Sequence, residues 1–146
     1  MSEENIEVVR TVHPPSGTDL AMLYADGAQA TALIEAAAPL FDRSFEFEAH
    51  GATAERATGK GLPALIAAWR EWLRPFESFR TEVERFVDVD EERVLVLIRD
   101  HPRPRGTDAE IESLGCSLWT LRDRKITRID FYPTRSHGVE AAGLPE

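Results

Sequence analysis

Four strand-like segments follow one another through the second half of this chain. They span residues 79–89, 93–100, 109–121 and 125–132, with charged turn sequences between them. Short turns join antiparallel neighbours, so the pattern predicts an antiparallel meander. The first half shows mainly the helical spacing of apolar residues. Helices first and strands last are typical of an α+β fold, in which one long curved sheet wraps helices on one face.

The first half is predicted to hold helices over residues 2–12, 19–38 and 62–75, the second of them interrupted at Asp26-Gly27. Between the last two, SFEFEAHG alternates phenylalanine with glutamate, which is the two-residue period of a half-buried strand. A polar loop is expected to follow from Gly51 to Gly61. Neither a repeat nor a linker divides the 146 residues, so we expect a single domain over residues 1–146.

The composition narrows the classes of function. A net charge of −9 repels phosphate backbones, so nucleic acid is not an expected partner. No apolar run approaches the ~20 residues of a membrane-spanning helix, and no membrane partner is expected. The acidic start MSEEN is unlike a secretory signal and the single Cys116 cannot form an internal disulfide, which favours a cytoplasmic location. The scattered histidines lack metal-site spacing and no cofactor signature occurs, so neither metal nor cofactor is expected.

Several segments resemble one known family. They are GLPALIAAWREWL, FRTEVERFVD and, most specifically, LWTLRDRKITRIDFYPTR followed by EAAGL. These segments resemble the SnoaL-like branch of the nuclear transport factor 2-like superfamily. The resemblance implies a cone-shaped, curved antiparallel sheet wrapped around N-terminal helices, with an internal pocket. Relatives include polyketide cyclases, ketosteroid isomerase, limonene epoxide hydrolase and non-catalytic modules, so the fold alone does not name the function.

This chain differs from two of these relatives at their catalytic positions. The resemblance to limonene epoxide hydrolase places Val94, Val96 and Phe131 where that enzyme has an Arg-x-Asp pair and a further Asp. All three residues are apolar here, so the epoxide-opening triad is predicted to be absent. The base of ketosteroid isomerase lies just after the first strand, where this chain has Glu48-Ala49-His50. A basic group is available there, although the motif differs.

Strand alternation sorts the side chains of residues 109–121 onto two faces. One face carries Ile111, Ser113, Gly115, Ser117 and Trp119. Its centre is small, which leaves space, so a cavity is predicted between Trp119 and Ile111. The opposite face carries an apolar row formed by Leu114, Cys116 and Leu118. Because an uncovered apolar row forms an exposed patch, we expect it to be covered in a homodimer.

The candidate acid-base residues are Asp100 and His50. Alternation places Asp100 on the same face as Val94, Val96 and Ile98, and burial there would raise its pKa so that it serves as an acid or a base. The alternative is that Asp100 ends its strand and forms a solvent-exposed pair with Arg103 or Arg105. His50 is either a general base at the pocket mouth or a turn residue beside Gly51.

The remaining candidates form a ligand-binding set. Its members are Tyr24, Phe47, Trp69, Ile98, Ser113, Gly115, Ser117, Trp119 and Phe131. Aromatic residues at this spacing also serve simply as core, and that alternative stays open for Trp69 and Trp119. Two functions follow. One is a pocket protein that performs isomerisation, cyclisation or hydration on a small apolar molecule with an oxygen function; the other is a non-catalytic ligand-binding or dimerisation module.

Overall fold

The computed structural model describes residues 2–25, 27–50 and 56–145. These ranges contain five α-helices and a short 3-10 turn at Ala38–Leu40. The helices are α1 (Ser2–Val12), α2 (Leu20–Ala25), α3 (Gly27–Ala37), α4 (Leu62–Leu73) and α5 (Arg135–Ala142). No helix in the described ranges has both the length and the apolar character that crossing a membrane requires.

Seven strands in the described ranges form one open, curved sheet. They are β1 (Thr18–Asp19), β2 (Phe41–His50), β3 (Arg56–Lys60), β4 (Phe76–Asp88), β5 (Arg93–Pro104), β6 (Ser113–Arg122) and β7 (Lys125–Tyr132). Their order across the sheet is β1-β4-β5-β6-β7-β2-β3. The predicted meander is confirmed as β4 to β7, in which each strand pairs antiparallel with the next. The α+β class is therefore confirmed.

One pair of strands departs from the predicted antiparallel arrangement. β2 lies parallel to β7, with Phe47 opposite Ile129. A parallel pair needs a long crossover, and the segment between β2 and β7 supplies it with β3, α4 and strands β4 to β6. All the other neighbouring pairs among the described strands are antiparallel.

The predicted polar loop before Gly61 contains strand β3, and its residues 51–55 lie outside the described residues, as does Asp26 of the predicted helix interruption. β3 has no apolar alternation because it is an edge strand whose backbone pairs with β2. Gly59 lies so close to Phe47 that a Cβ atom at position 59 would be 2.6 Å from the Phe47 ring. Glycine therefore lets the ring extend beneath β3.

Two apolar clusters lie on opposite faces of the sheet. The inner face packs against α1 and α4 through the larger cluster, which includes Val9, Leu65 and Val96. The outer face carries the smaller cluster, in which α5 contributes Ala142 against Cys116. Apolar side chains thus leave the sheet on both sides, and each side has a helical cover.

Helix α5 changes the interpretation of the outer face. The predicted apolar row needed a partner subunit as its cover, yet Cys116 and Leu118 are buried within the chain itself. Leu114, the third member of the row, is 41% exposed. A partner subunit is therefore unnecessary for burying Cys116 and Leu118, and only the end of the row near Leu114 remains open.

A candidate small-molecule site at the open end of the inner face

The inner face of the sheet is closed at one end and open at the other. Along β5, Val94 and Val96 are fully buried, whereas Ile98 and Asp100, further along the same face, are only half-buried. On β7, Ile129 is fully buried and Phe131 is half-buried. The inner face therefore becomes accessible toward Asp100, and the predicted site residues on β5 and β7 lie along this gradient.

Small residues of β6 lie beside Ile98 and Val96. Gly115 is opposite Ile98 and Ser117 is opposite Val96. A Cβ atom at position 115 would meet only the backbone oxygen of Tyr132, at the ordinary van der Waals distance of 3.7 Å, so the side-chain position of Gly115 is open apart from that one contact. The fully buried Ser117 has a different role, because its hydroxyl accepts a hydrogen bond of 2.8 Å from Trp119 Nε1 and so fixes the indole ring.

The predicted far boundary of this space is wrong in one respect. Strand β6 begins at Ser113 rather than at residue 109, so Ile111 lies outside the sheet and is 54% exposed. Ser113 itself is exposed at the start of the strand. The backbone N–H of Ile111 donates to Pro102 O, which holds this segment against β5 instead of extending β6. Trp119 and Ile111 therefore do not enclose a cavity.

Aromatic rings from α2, α4 and β7 gather at the half-buried end. Tyr24 stacks on Trp69 with ring centroids 6.2 Å apart. Trp69 and Trp72 both meet Phe131 edge-on, at 5.4 and 5.8 Å between centroids. Phe47, buried on β2, contacts Trp72 at 6.4 Å. Five predicted aromatic positions, counting the buried Trp119, thus belong to the inner side of the molecule.

The phenol of Tyr24 stays protonated because burial raises its pKa. A protonated phenol can both donate and accept a hydrogen bond. Tyr24 can therefore contact an oxygen function of a ligand as a donor or as an acceptor, whereas the indole N–H of Trp69 can only donate.

Asp100 is the half-buried carboxyl group of this end. It lies on β5 opposite Thr81 of β4, and the Thr81 side chain hydrogen-bonds to it. Burial outweighs that hydrogen bond and raises the pKa of Asp100 above its ordinary value. Among the described residues, no ion pair joins Asp100 to Arg103 or Arg105, the partners that the alternative interpretation required.

His50 lies on the opposite face of the sheet from Asp100. Its Nε2 is 2.9 Å from Asp130 Oδ1 and its Nδ1 is 3.2 Å from Glu48 Oε2. Its ring also stacks on Tyr132, with centroids 4.5 Å apart. Because β2 directs Phe47 inward and Glu48 and His50 outward, the structure does not bring the two candidate acid-base residues together.

His13 packs against side chains of the inner face, although it was not among the predicted site residues. His13 follows α1, and its ring lies 5.0 Å from Trp119 and 5.6 Å from Phe86 between centroids. Its Nδ1 is 2.7 Å from Val9 O, one helical turn earlier. Burial lowers the pKa of His13. The signal was present in the spacing, since residue 13 continues the apolar stripe of Val9 by four positions, but the proline pair after it suggested only a turn.

Two concavities occur among the described residues, and neither is lined by Asp100 or Gly115. One, of about 360 Å³, lies between α2 and α4 and is lined by residues that include Tyr24, Arg70, Arg74 and Arg105. The other, of about 890 Å³, is lined by residues that include Asn5 and Arg124. Within the described ranges, no cluster of three or more His, Cys, Asp or Glu side chains is arranged to hold a metal ion.

Several solved structures have a fold similar to that of this chain. The chain superposes with a TM-score of 0.65 on a putative SnoaL-like polyketide cyclase from Jannaschia sp. CCS1, at 16% identity over 99% of this chain and 95% of that one. TerC, co-crystallised with polyporic acid, gives 0.64 at 19% identity over 96% and 98%. A hypothetical protein with a ketosteroid isomerase-like fold from Catenulispora acidiphila, in complex with trimethylamine, gives 0.61 at 16% identity over 95% and 94%.

At such identities these likenesses show the fold alone. Among curated proteins, none matches the sequence. The sequence profile of the SnoaL-like domain, however, matches residues 21–129, which extend from α2 into β7 and include most of the inner face. The chain belongs to the SnoaL-like domain family.

Proposed function

We propose that this protein binds a small, largely apolar molecule with an oxygen function at the open end of its inner face, and that Asp100 performs acid-base chemistry on it. The observation that carries the proposal is the position of Asp100, a half-buried carboxyl group with a raised pKa, beyond the open space at Gly115. Aromatic side chains and a few polar groups are the usual lining of a small-molecule site.

The relatives support a small organic ligand. One structural neighbour is described as a putative polyketide cyclase, and another was co-crystallised with polyporic acid. The chemistry proposed here for this chain is proton transfer during an isomerisation, a cyclisation or a hydration. A carboxyl group whose pKa is raised by burial is a stronger base when ionised than an ordinary aspartate, which suits it to such a transfer.

Water activation of the epoxide hydrolase type is not part of the proposal. The aligned positions hold Val94, Val96 and Phe131, and the two valines are fully buried. Apolar side chains neither position a water molecule nor accept its proton. The same three residues favour a second candidate function, a binding module without catalysis.

A binding experiment tests the site itself. A thermal-shift screen with apolar ketones, epoxides, polycyclic aromatics and fatty acids should yield a ligand, which at about 100 times its Kd stabilises the fold by about 2.7 kcal/mol. Gly115→Leu fills the open space and should abolish that shift. The matched control is Leu114→Ala, next in the chain but on the exposed opposite face, which should preserve the shift. A shift that survives in folded Gly115→Leu contradicts the site.

Asp100→Asn separates the two candidate functions. The amide keeps the shape of the carboxyl group but does not transfer a proton as an acid or a base. An enzyme would retain binding and lose at least tenfold in turnover of the identified compound, since general acid-base groups contribute roughly a hundredfold or more. Unchanged turnover in the variant rejects the role of Asp100. Ligand binding without any turnover in the unaltered protein favours the binding module.

Homodimerisation remains a separate proposal. The outer face near Leu114 is left open by α5 and carries ion pairs of Arg99 with Glu84 and Glu112. A second copy of the chain seated there would cover Leu114. Sedimentation should then show a dimer that Leu114→Glu dissociates, whereas a monomeric unaltered protein rejects the proposal.

A further inference from the structure

The concavity between α2 and α4 is separate from the proposed site on the inner face. Its volume of about 360 Å³ lies within the usual range of small-molecule sites. Ala67, Arg70 and Arg74 line it, and at about 100° per helical residue they lie on the side of α4 opposite Leu65 and Trp72. Leu65 and Trp72 belong to the inner apolar cluster. The concavity is therefore on the solvent side of α4.

The lining of this concavity has an excess of positive charge. It contains the guanidinium groups of Arg70, Arg74 and Arg105 and one carboxylate, that of Glu71. Glu71 pairs with Arg74, with side-chain atoms 2.8 Å apart. Among the described residues, no ion pair involves Arg70 or Arg105. A guanidinium group keeps its charge at any ordinary pH, so two uncompensated cations line one concavity in a chain of net charge −9.

The arginines are brought together at a cost that an anion would relieve. Arg70 and Arg74 are four residues apart along the helix, a spacing at which like charges repel each other and destabilise the helix. Arg105 follows β5 and is fixed at the same place, because its Nε donates to Arg74 O at 2.8 Å and its backbone N–H donates to Pro75 O at 3.0 Å. These bonds leave the terminal nitrogens of Arg105 without a partner among the described residues.

The rest of the lining is largely apolar. Ala21 and Ala25 of α2 and Ala67 and Leu73 of α4 contribute aliphatic surface, and Tyr24 contributes an aromatic ring. An inorganic anion would contact the guanidinium groups but would leave this apolar surface without a partner. A ligand with both an anionic group and an apolar body covers both parts of the lining.

We infer that the concavity between α2 and α4 binds a small organic acid, whose carboxylate lies among Arg70, Arg74 and Arg105 and whose apolar body contacts the alanines. A guanidinium group binds a carboxylate through two parallel hydrogen bonds, which provide both strength and geometric specificity. This site goes beyond the proposed function and is independent of it, because neither Asp100 nor Gly115 belongs to its lining.

A matched pair of probes tests this selection. β-Naphthoate carries the carboxylate, and β-naphthamide has the same ring system without the charge. Calorimetric titration of the unaltered protein should show that the acid binds at least about tenfold more tightly, the range of one hydrogen bond to a charged group. Added sodium chloride should weaken binding of the acid and leave that of the amide unchanged. Equal affinities, or no binding of the acid at millimolar concentration, overturn the inference.

Single substitutions test the arginines. Arg70→Gln and Arg105→Gln each remove a guanidinium group from the lining and should weaken binding of β-naphthoate at least about fivefold. Both side chains are exposed, so we expect the variants to fold. Arg43→Gln is the matched control, since Arg43 is an exposed arginine of β2 outside this lining, and its affinity should stay within about twofold of the unaltered protein. An equal loss in all three variants would show an effect of net charge alone and overturns the inference.

The position of the bound acid distinguishes this inference from the proposed function. Nuclear Overhauser contacts should join the ring protons of β-naphthoate to the methyl groups of Ala21 and Ala67, and binding should survive in Gly115→Leu. Binding that Gly115→Leu abolishes and Arg70→Gln preserves would place the acid on the inner face and overturn the second site. Displacement of β-naphthoate by an equal concentration of inorganic phosphate would show that the apolar body adds nothing, which also overturns it.

Discussion

Gly138 of α5 lies directly against Cys116 of β6, so close that a Cβ atom at position 138 would be 1.9 Å from the Cys116 sulfur. Both residues are buried, and Cys116 also donates a hydrogen bond to Thr134 O at the start of α5. The backbone of Gly138 does not have a positive φ, so its conformation does not call for glycine. Glycine is needed at position 138 because a larger side chain would collide with Cys116. This contact brings α5 onto the outer face.

We therefore expect Gly138→Ala to destabilise the protein by about 1–3 kcal/mol, the usual cost of overpacking a core. The double variant Gly138→Ala with Cys116→Ala should recover part of that loss, because removing the sulfur makes room for the new methyl group. Urea unfolding measures both values. Purely additive losses would contradict a direct contact.

Asp100 should make stability depend on pH in an unusual direction. Its folded pKa is raised, so the native state binds more protons than the unfolded state between the two pKa values, and the free energy of unfolding falls as the pH rises through this window. Asp100→Asn removes the effect. We expect the variant to be more stable than the unaltered protein at neutral pH, with the advantage disappearing below about pH 4, the ordinary Asp range.

Melting temperatures of both proteins at the two pH values provide the measurement. Asp108→Asn is the control, since Asp108 is an exposed carboxylate in the loop before β6. A stabilisation of Asp100→Asn that persists unchanged at acidic pH would show that desolvation of the carboxylate is not its cause.

Arg128 holds a buried carboxylate on the outer face. It donates to both oxygens of Asp130, at 2.9 and 2.8 Å, and also to Glu46. Arg128→Met should cost about 3 kcal/mol because it removes the main cation from a buried carboxylate. Arg124→Met, which removes an exposed pair with Glu4, should cost less than about 1 kcal/mol. Equal losses in chemical denaturation would contradict the difference in burial.

The two tyrosines should resist ionisation. Burial raises the pKa of Tyr24, and burial together with the charge of Asp130 raises the pKa of Tyr132 to about 12. Ultraviolet titration of the native protein should therefore show tyrosinate forming at a higher pH than in the protein unfolded in urea, whose tyrosines titrate at about pH 10. Tyr132→Phe leaves Tyr24 as the single phenol and identifies its contribution. A native midpoint near 10 would show that neither ring is desolvated.

The spacing of apolar residues predicted those helices and strands that bury one face against the core. The alternation through Val94, Val96 and Ile98 predicted their common face, because a half-buried strand places alternate residues in the core. The same spacing did not predict β3, because its residues are mostly polar and the strand is held by backbone pairing with β2. It did not predict α5 either, because that helix has too few apolar residues to show a clear period. Both elements are defined by partners distant in sequence.

The candidate site was predictable to a similar extent. The inward direction of Asp100 and Gly115 was predicted from the alternation of side chains along a strand, which depends only on neighbouring residues. The outward direction of His50 also follows from the alternation of β2, because Phe45 and Phe47 point inward. The role suggested for His50 came instead from its place in the chain. The enclosure of His13 depends on Phe86 and Trp119, more than 70 residues away, and no local pattern encodes such a contact.

The parallel pairing of β2 with β7 has a consequence for the order of assembly. His50 and Asp130 meet across 80 positions, and among the described strands β2 has only β3 as another partner in the sheet. A two-stranded hairpin is marginally stable in water, so β2 and β3 gain lasting support only after β7 has been synthesised. The complete sheet therefore forms only when distant parts of the chain have paired, and pairings between distant residues favour slow folding. A ribosome-bound chain that ends before β7 would expose Phe45 and Phe47 to chaperones and proteases.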